Sequence, residues 1–341
     1  MRNINEENEW MKRAYLAYLG EADGRDEATL DKTAAALLMF EEALGFKPFK
    51  AFHRDWAATF KKHLAKRKNQ KTGKLLGVST RASILKNVKD FFYWLASQPG
   101  YKSRVTYADV RYFNNTLKDE RAAHAQRPQR YPSLAQCDHA FRLMPDATPV
   151  QRRDKALFAL WVMTAARASA LASLRTKHVN MIDDVIFQDG REVKTKGAKS
   201  FDTWFFPVNP MYREGFAIWF EELMQSMHFG PSDALFPKQR IVCLDGRFTP
   251  SGFETEPFAT SQIVRKVIAT AFTNAGFQAY APHSIRKTIA MLGNQVCKTM
   301  EEHKAWSQNL GHEHIATTVS AYMPVGPERQ AEIIRGLANC S

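Results

Sequence analysis

The chain has 341 residues, of which 45% are hydrophobic and 24% charged, and 48 Lys+Arg against 35 Asp+Glu give a formal net charge of +13. The composition excludes a disordered or collagen-like chain, and the length suits two domains. The excess of bases favours a polyanionic partner, because neutralising phosphates releases counterions.

The first residues, MRNINEENEW, carry no apolar run of signal-peptide type, and residues 4–20 read as a short helix with Trp10, Tyr15, Tyr18 and Leu19. Leu30, Ala34, Leu37, Leu38 and Leu44 recur at helical spacing over 29–44, with Gly45 as a stop. A helix over 55–66 follows, then one over 79–96 with Ser79 or Thr80 as its cap. Between Asp55 and Asp90 no acid interrupts Lys61, Lys62, Lys66, Arg67, Lys68, Lys71, Lys74, Arg81, Lys86 and Lys89. A solvated helix face usually interleaves acids with bases, so one-signed charge here points to a phosphate backbone.

Residues 112–132 are polar, basic and proline-punctuated, which suits an extended linker. A second domain starts near Ser133, with helices over 134–144, 151–167, 211–227, 260–275, 283–297, 301–310 and 328–338. A β-hairpin is expected around 184–208, where VIFQ and TWFFPV flank a Gly/Lys-rich turn. Cys137, Cys243, Cys297 and Cys340 form no CxxC pair, so neither a zinc knuckle nor a dithiol redox site is signalled, and scattered thiols fit a reducing cytoplasm. The longest apolar stretches are too short to cross a bilayer.

Four patches carry the chemistry. Arg167 stands in the apolar run TAARASALASL and needs an anionic partner, whether a structural acid or a ligand. KTKGAKS places Lys194, Lys196 and Lys199 on the hairpin turn. APHSIRKTIAML puts His283 and Arg286 three apart at a helix start, where free N–H groups suit a phosphate. LGHEHIATTVSAY brings Gly311 and His312, then Tyr322 ten residues on.

Arg167, a hairpin lysine, His283-x-x-Arg286, Leu310-Gly311-His312 and Tyr322 occur in the order seen in the tyrosine recombinase (phage integrase) family. The Arg167 patch resembles that family's TGxRxSExxxL box, and HSIRKT resembles its HxLRHT box. Ala166 and Ala170 stand where the first box usually has a glycine and an acid, Lys287 where a second histidine is common, and the interval from His312 to Tyr322 is one residue longer than usual.

The resemblance implies a mainly α protein with a small β-sheet. It would have an N-terminal extension (1–25), a helical core-site-binding domain (26–111), a linker (112–132) and a mixed α+β catalytic domain (133–341). It implies site-specific cutting and rejoining of double-stranded DNA through a 3′-phosphotyrosine on Tyr322, with no metal, cofactor or external energy. Arg167 and Arg286 would hold the scissile phosphate, His283 would act as base, His312 would bond the phosphate or position the tyrosine, and Lys196 (or Lys194) would protonate the leaving oxygen. Residues 327–338 resemble the exchangeable C-terminal helix, which implies a tetramer on paired sites, although packing on its own domain is the alternative. About 25 residues before the first domain leave no room for an arm-binding domain, so simple core sites are expected. The setting implied is a bacterial or phage-encoded protein of the cytoplasm and nucleoid, serving a mobile element, with no membrane role. Two other readings stay open: a type IB topoisomerase-like enzyme, and an inactive DNA-binding protein on the same fold.

Overall fold

The computed structural model describes residues 4–70, 72–124, 130–244, 246–313 and 327–337. The chain divides into two compact units, Met1–Arg127 and Pro128–Ser341.

The first unit is helical: α1 (Glu6–Glu21), α2 (Glu27–Leu44), α3 (Arg54–Lys66), α4 (Val78–Leu95), α5 (Tyr107–Val110) and α6 (Leu117–His124). The Asp26 side chain caps α2, and Gly45 closes it in the left-handed region at φ 65°. Apolar faces meet around Phe40, whose ring lies edge-on to Phe60 and Phe92 at 5.1 Å between centroids. Two features go beyond periodicity. Residues 6–21 belong to this core, because Tyr15 and Leu19 are buried in it. They are also tied by a buried polar link: Asn8 donates to Glu41 Oε1 at 3.0 Å, Asn8 Oδ1 accepts from the Phe49 amide at 2.8 Å, and Lys12 pairs with Glu41. Part of the expected extended linker is helical, since the Thr116 hydroxyl accepts a first-turn bond from the Asp119 amide at 3.1 Å and α6 packs on α4. Helix α4 begins at Val78 after Gly77, so neither Ser79 nor Thr80 is its cap.

The second unit contains α7 (Leu134–Leu143), α8 (Pro149–Thr164), α9 (Ala168–Ser173), β1 (Val179–Asn180), β2 (Val185–Gln188), β3 (Phe201–Trp204), α10 (Met211–Glu221), β4 (Gln239–Leu244), β5 (Arg247–Phe253), α11 (Gln262–Asn274), α12 (Ile285–Val296), α13 (Met300–Asn309) and α14 (Pro327–Leu337). Reciprocal capping boxes start α7 (Ser133 with Gln136) and α8 (Thr148 with Gln151). Every residue from Ala156 to Met163 is buried, so α8 is the buried rod on which α7, α10 and α11 pack.

The expected hairpin is present, with β2 and β3 antiparallel and Val185 opposite Trp204, Gln188 opposite Phe201. Strand β1 extends it to a three-stranded sheet. The β4–β5 ribbon was not anticipated from sequence, because Pro250 and Gly252 interrupt its alternation and read as breakers.

Candidate active site

Helix α8 ends at the first box. The Thr164 hydroxyl donates to the Leu160 carbonyl at 2.6 Å and accepts from the Ala166 amide at 3.3 Å. Ala165 then closes the helix in the left-handed region at φ 48°, a conformation that costs a side chain about 1–2 kcal/mol relative to right-handed backbone. Counted from Arg167, the glycine of the family box falls at Ala165 and not at Ala166, and the backbone agrees. Arg167, half-buried, is the N-cap residue of α9.

The second arginine is built in more deeply. Pro282–Ser284 form a 3₁₀ turn that runs into α12, and the indole N–H of Trp161 on α8 donates to the Pro282 carbonyl at 2.8 Å. His283 therefore lies in the turn, exposed, while Arg286 lies in the helix at 2% exposure. The Arg286 Nη1 donates to the Ala165 carbonyl at 3.0 Å, and Nη2 to the Leu310 carbonyl and to His312 Nε2, the last at 2.8 Å. One guanidinium thus joins the end of α8, the start of α12 and the Leu310-Gly311-His312 turn. Gly311 turns the chain at φ 69°, and a Cβ there would lie 2.6 Å from the Phe201 ring.

Both histidines are shifted toward the neutral form. Burial first, then the charges of Arg286, Arg167, His283 and Lys196, push His312 down to about 4. Desolvation, then Arg286, Arg167 and Lys196, lower His283. As a neutral ring accepting at Nε2, His312 carries its proton on Nδ1. The same three cations act on both rings, so Arg167, Lys196, His283, Arg286 and His312 converge on one locus. Tyr322 lies outside the described residues.

The two candidate lysines differ in their surroundings. Lys194 Nζ donates to the Ala259 carbonyl at 2.8 Å, whereas it is Lys196 whose charge reaches the histidines. Lys199 pairs with Glu313. Sequence reasoning missed Trp161, Ala165 and Ser173, whose hydroxyl accepts the Lys194 amide at 2.8 Å. The Thr-Ala-Ala-Arg spacing carried a signal for Ala165; nothing in the sequence marks the other two.

In the first unit, Lys62, Lys66, Lys68, Lys74 and Lys86 are exposed. The one-signed stretch nevertheless finds acids from outside its window. Arg67 pairs with Glu42 at 3.1 Å and Lys86 with Asp90 at 2.5 Å, while Lys61 donates to the Asn114 carbonyl. Lys89 lies 5.4 Å from the Tyr93 ring centroid, Arg81 is half-buried, and Lys71 lies outside the described residues. No described helix is long and apolar enough to cross a membrane, and among the described residues no group of His, Cys, Asp and Glu is placed to hold a metal ion.

A helical unit joined to an α+β unit, whose separate boxes bring Arg167, Lys196 and Arg286 within electrostatic reach of both histidines, defines a DNA strand-transferring enzyme of the tyrosine recombinase class. Residues 133–329 match the sequence profile of the phage integrase family, and the chain belongs to that family as a site-specific recombinase. The topoisomerase-like and inactive readings are not favoured. Among solved structures it is similar to the Tn1549 transposon integrase in complex with transposon right end DNA, at 15% identity over 96% of this chain and 99% of that one, with a TM-score of 0.61. It is also similar to a lambda integrase dimer bound to a core site, at 13% identity over 94% and 96%, again with a TM-score of 0.61. At these identities the likeness shows the fold. No curated protein matches the chain in sequence.

Proposed function

We propose that the pocket cleaves DNA by attack of Tyr322 on a phosphate held by Arg167 and Arg286, leaving a 3′-phosphotyrosine and a free 5′-hydroxyl. The observation that carries this is the convergence of Arg167, Lys196, His283, Arg286 and His312 on one locus, from segments spread over about 145 residues of sequence. Cations aimed at a phosphate stabilise the charge that gathers on its non-bridging oxygens. A phenol of pKa about 10 needs a base, and His283, shifted toward its neutral form by desolvation and then by its cationic neighbours, can accept the proton. Neutral His312 orients Arg286 through Nε2. Lys196 gives a proton to the departing 5′-oxygen. The covalent link conserves the phosphodiester, so another 5′-hydroxyl can attack it without a metal, cofactor or external energy.

Ile334 on α14 is 61% exposed, which supports docking of that helix on a second protomer and assembly of a tetramer on paired DNA sites. The chain would act in a bacterial or phage setting, on the DNA of the cytoplasmic nucleoid, in the service of a mobile element. The proposed functional division is a core-site-binding part formed by residues 26–111 together with the packed helix α1, and a part holding the chemistry in residues 133–341.

The lysine assignment has a direct test. Lys196→Ala should slow cleavage of an ordinary duplex, and a substrate with sulfur at the 5′-bridging position should restore it, because a thiolate leaves without protonation. Lys194→Ala should behave like the unsubstituted protein on both. Rescue confined to Lys194→Ala would reverse the assignment.

DNA affinity should depend on the first unit. Each phosphate neutralised contributes a salt slope of about 0.9 log unit per log unit of salt. Neutralising Lys66, Lys68 and Lys74, which are exposed, should flatten the slope by about two to three such units without changing cleavage of saturating DNA. Arg67 is a poorer choice, since Glu42 already holds it. Residues 133–341 alone should bind more weakly and with a shallower slope than the full chain. Equal slopes in a salt titration of the three proteins would reduce the basic segment to a solvated surface.

A further inference from the structure

We infer that Ser173 is a positioning residue that holds the lysine loop in register with Arg167, so that Lys196 meets the leaving oxygen; this rests on the reading of Lys196 as the proton donor. Ser173 is the last residue of α9, the short helix that Arg167 caps at its other end. Its side chain is buried, and the hydroxyl donates back to the Ser169 carbonyl at 2.9 Å. That bond orients the oxygen to accept the Lys194 amide at 2.8 Å. A six-residue helix is a rod of about 9 Å, so Arg167 and the loop are fixed to opposite ends of one rigid element.

The rest of the loop is folded on itself. Gly190 N–H donates to the Ser200 hydroxyl at 2.9 Å, and the Thr195 hydroxyl to the Lys199 carbonyl at 2.8 Å. Gly190 runs against the far side of the loop, where a Cβ would lie 2.0 Å from the Ala198 carbonyl oxygen. Such a loop moves as a body, and its place depends on what ties it to α9. The Val193 side chain is buried in the core, but apolar contact is non-directional and does not fix the rotation of the backbone. The bond from the Lys194 amide to Ser173 does, two residues before Lys196. Lys194 Nζ is drawn to the Ala259 carbonyl, leaving Lys196 as the lysine whose charge reaches His283 and His312.

Ser173→Ala removes that acceptor and leaves the backbone of the loop without its tie to α9, while the Val193 side chain, the Lys194 Nζ bond to the Ala259 carbonyl and the Lys199 pair with Glu313 still hold its edges. The test measures covalent-adduct formation by the full chain on two duplexes, one ordinary and one with 5′-bridging sulfur. Wild type, Lys196→Ala and Ser173→Ala are compared, and both substrates are run on the same preparation of each. Misplacing a proton donor by about 1 Å costs up to roughly 10²-fold, so Ser173→Ala should lose about 10- to 100-fold on the ordinary duplex. On the sulfur duplex it should cut at the wild-type rate, because no proton is needed there. A fall of equal size on both duplexes, as misfolding or a displaced Arg167 produces, would overturn the inference, and so would no fall on either. If Lys196→Ala itself is not rescued by sulfur, the proton-donor reading fails and the inference goes with it. If Lys196→Ala is rescued and Ser173→Ala is not, only the role of Ser173 is lost.

Discussion

Arg286→Ala should lose both stability and activity, whereas Arg167→Ala should lose mainly activity. Arg286 is almost wholly buried and donates to the Ala165 carbonyl, the Leu310 carbonyl and His312. Truncation leaves two buried carbonyls without that donor, at about 1–3 kcal/mol each. In a unit of this size each kcal/mol moves Tm by roughly 2–4 °C, so a drop of several degrees is expected. Cleavage of saturating DNA should also fall by at least about 10²-fold, the scale of losing one preorganised transition-state donor. Arg286→Lys keeps the charge but has no planar fork to reach both carbonyls, so it should recover little of either loss. Arg167 is only half-buried, and its alanine variant should show a similar catalytic loss with a smaller change in Tm. Thermal melts and single-turnover cleavage of the three variants check this. Wild-type cleavage by either alanine variant would remove that arginine from the phosphate clamp.

The sequence was most informative where chemistry is local. Helix periods, the caps at Ser133 and Gly45, and the hairpin around the lysine loop all depend on neighbours a few residues apart, and each forms as expected. The candidate boxes were legible because reactive residue types recur in a fixed order, and the family match covers residues 133–329, the stretch that contains them. What the sequence hid depends on distant partners. The pair of Arg67 with Glu42 crosses the edge of an apparently acid-free stretch. The burial of Asn8 and Lys12 against Glu41 draws residues 6–21 into the core although their spacing reads only as a short amphipathic helix. Arg286 reads as a phosphate ligand from its box, yet within the chain it donates to carbonyls at the ends of other elements and to His312. Ser173 looks like one small residue in an alanine-rich run until the loop amide arrives from Lys194, 21 residues on.

The nucleophile is the central claim, and Tyr322→Phe tests it most directly. The closest tyrosine upstream is Tyr280, which is buried with its hydroxyl 3.5 Å from Gln136 Oε1, so it is poorly placed to attack DNA in place of Tyr322. In the proposed mechanism the phenol oxygen of Tyr322 is the reacting atom but a minor part of the surface that holds DNA. Removing it should therefore abolish chemistry and spare affinity. The measurement is trapping on a duplex nicked next to the cleavage point, so that the freed 5′ fragment escapes and the protein stays joined to the 3′ phosphate. The account predicts an SDS-resistant protein–DNA band for the wild-type chain, and no band for Tyr322→Phe at equal DNA occupancy. A covalent band from the phenylalanine variant would contradict it.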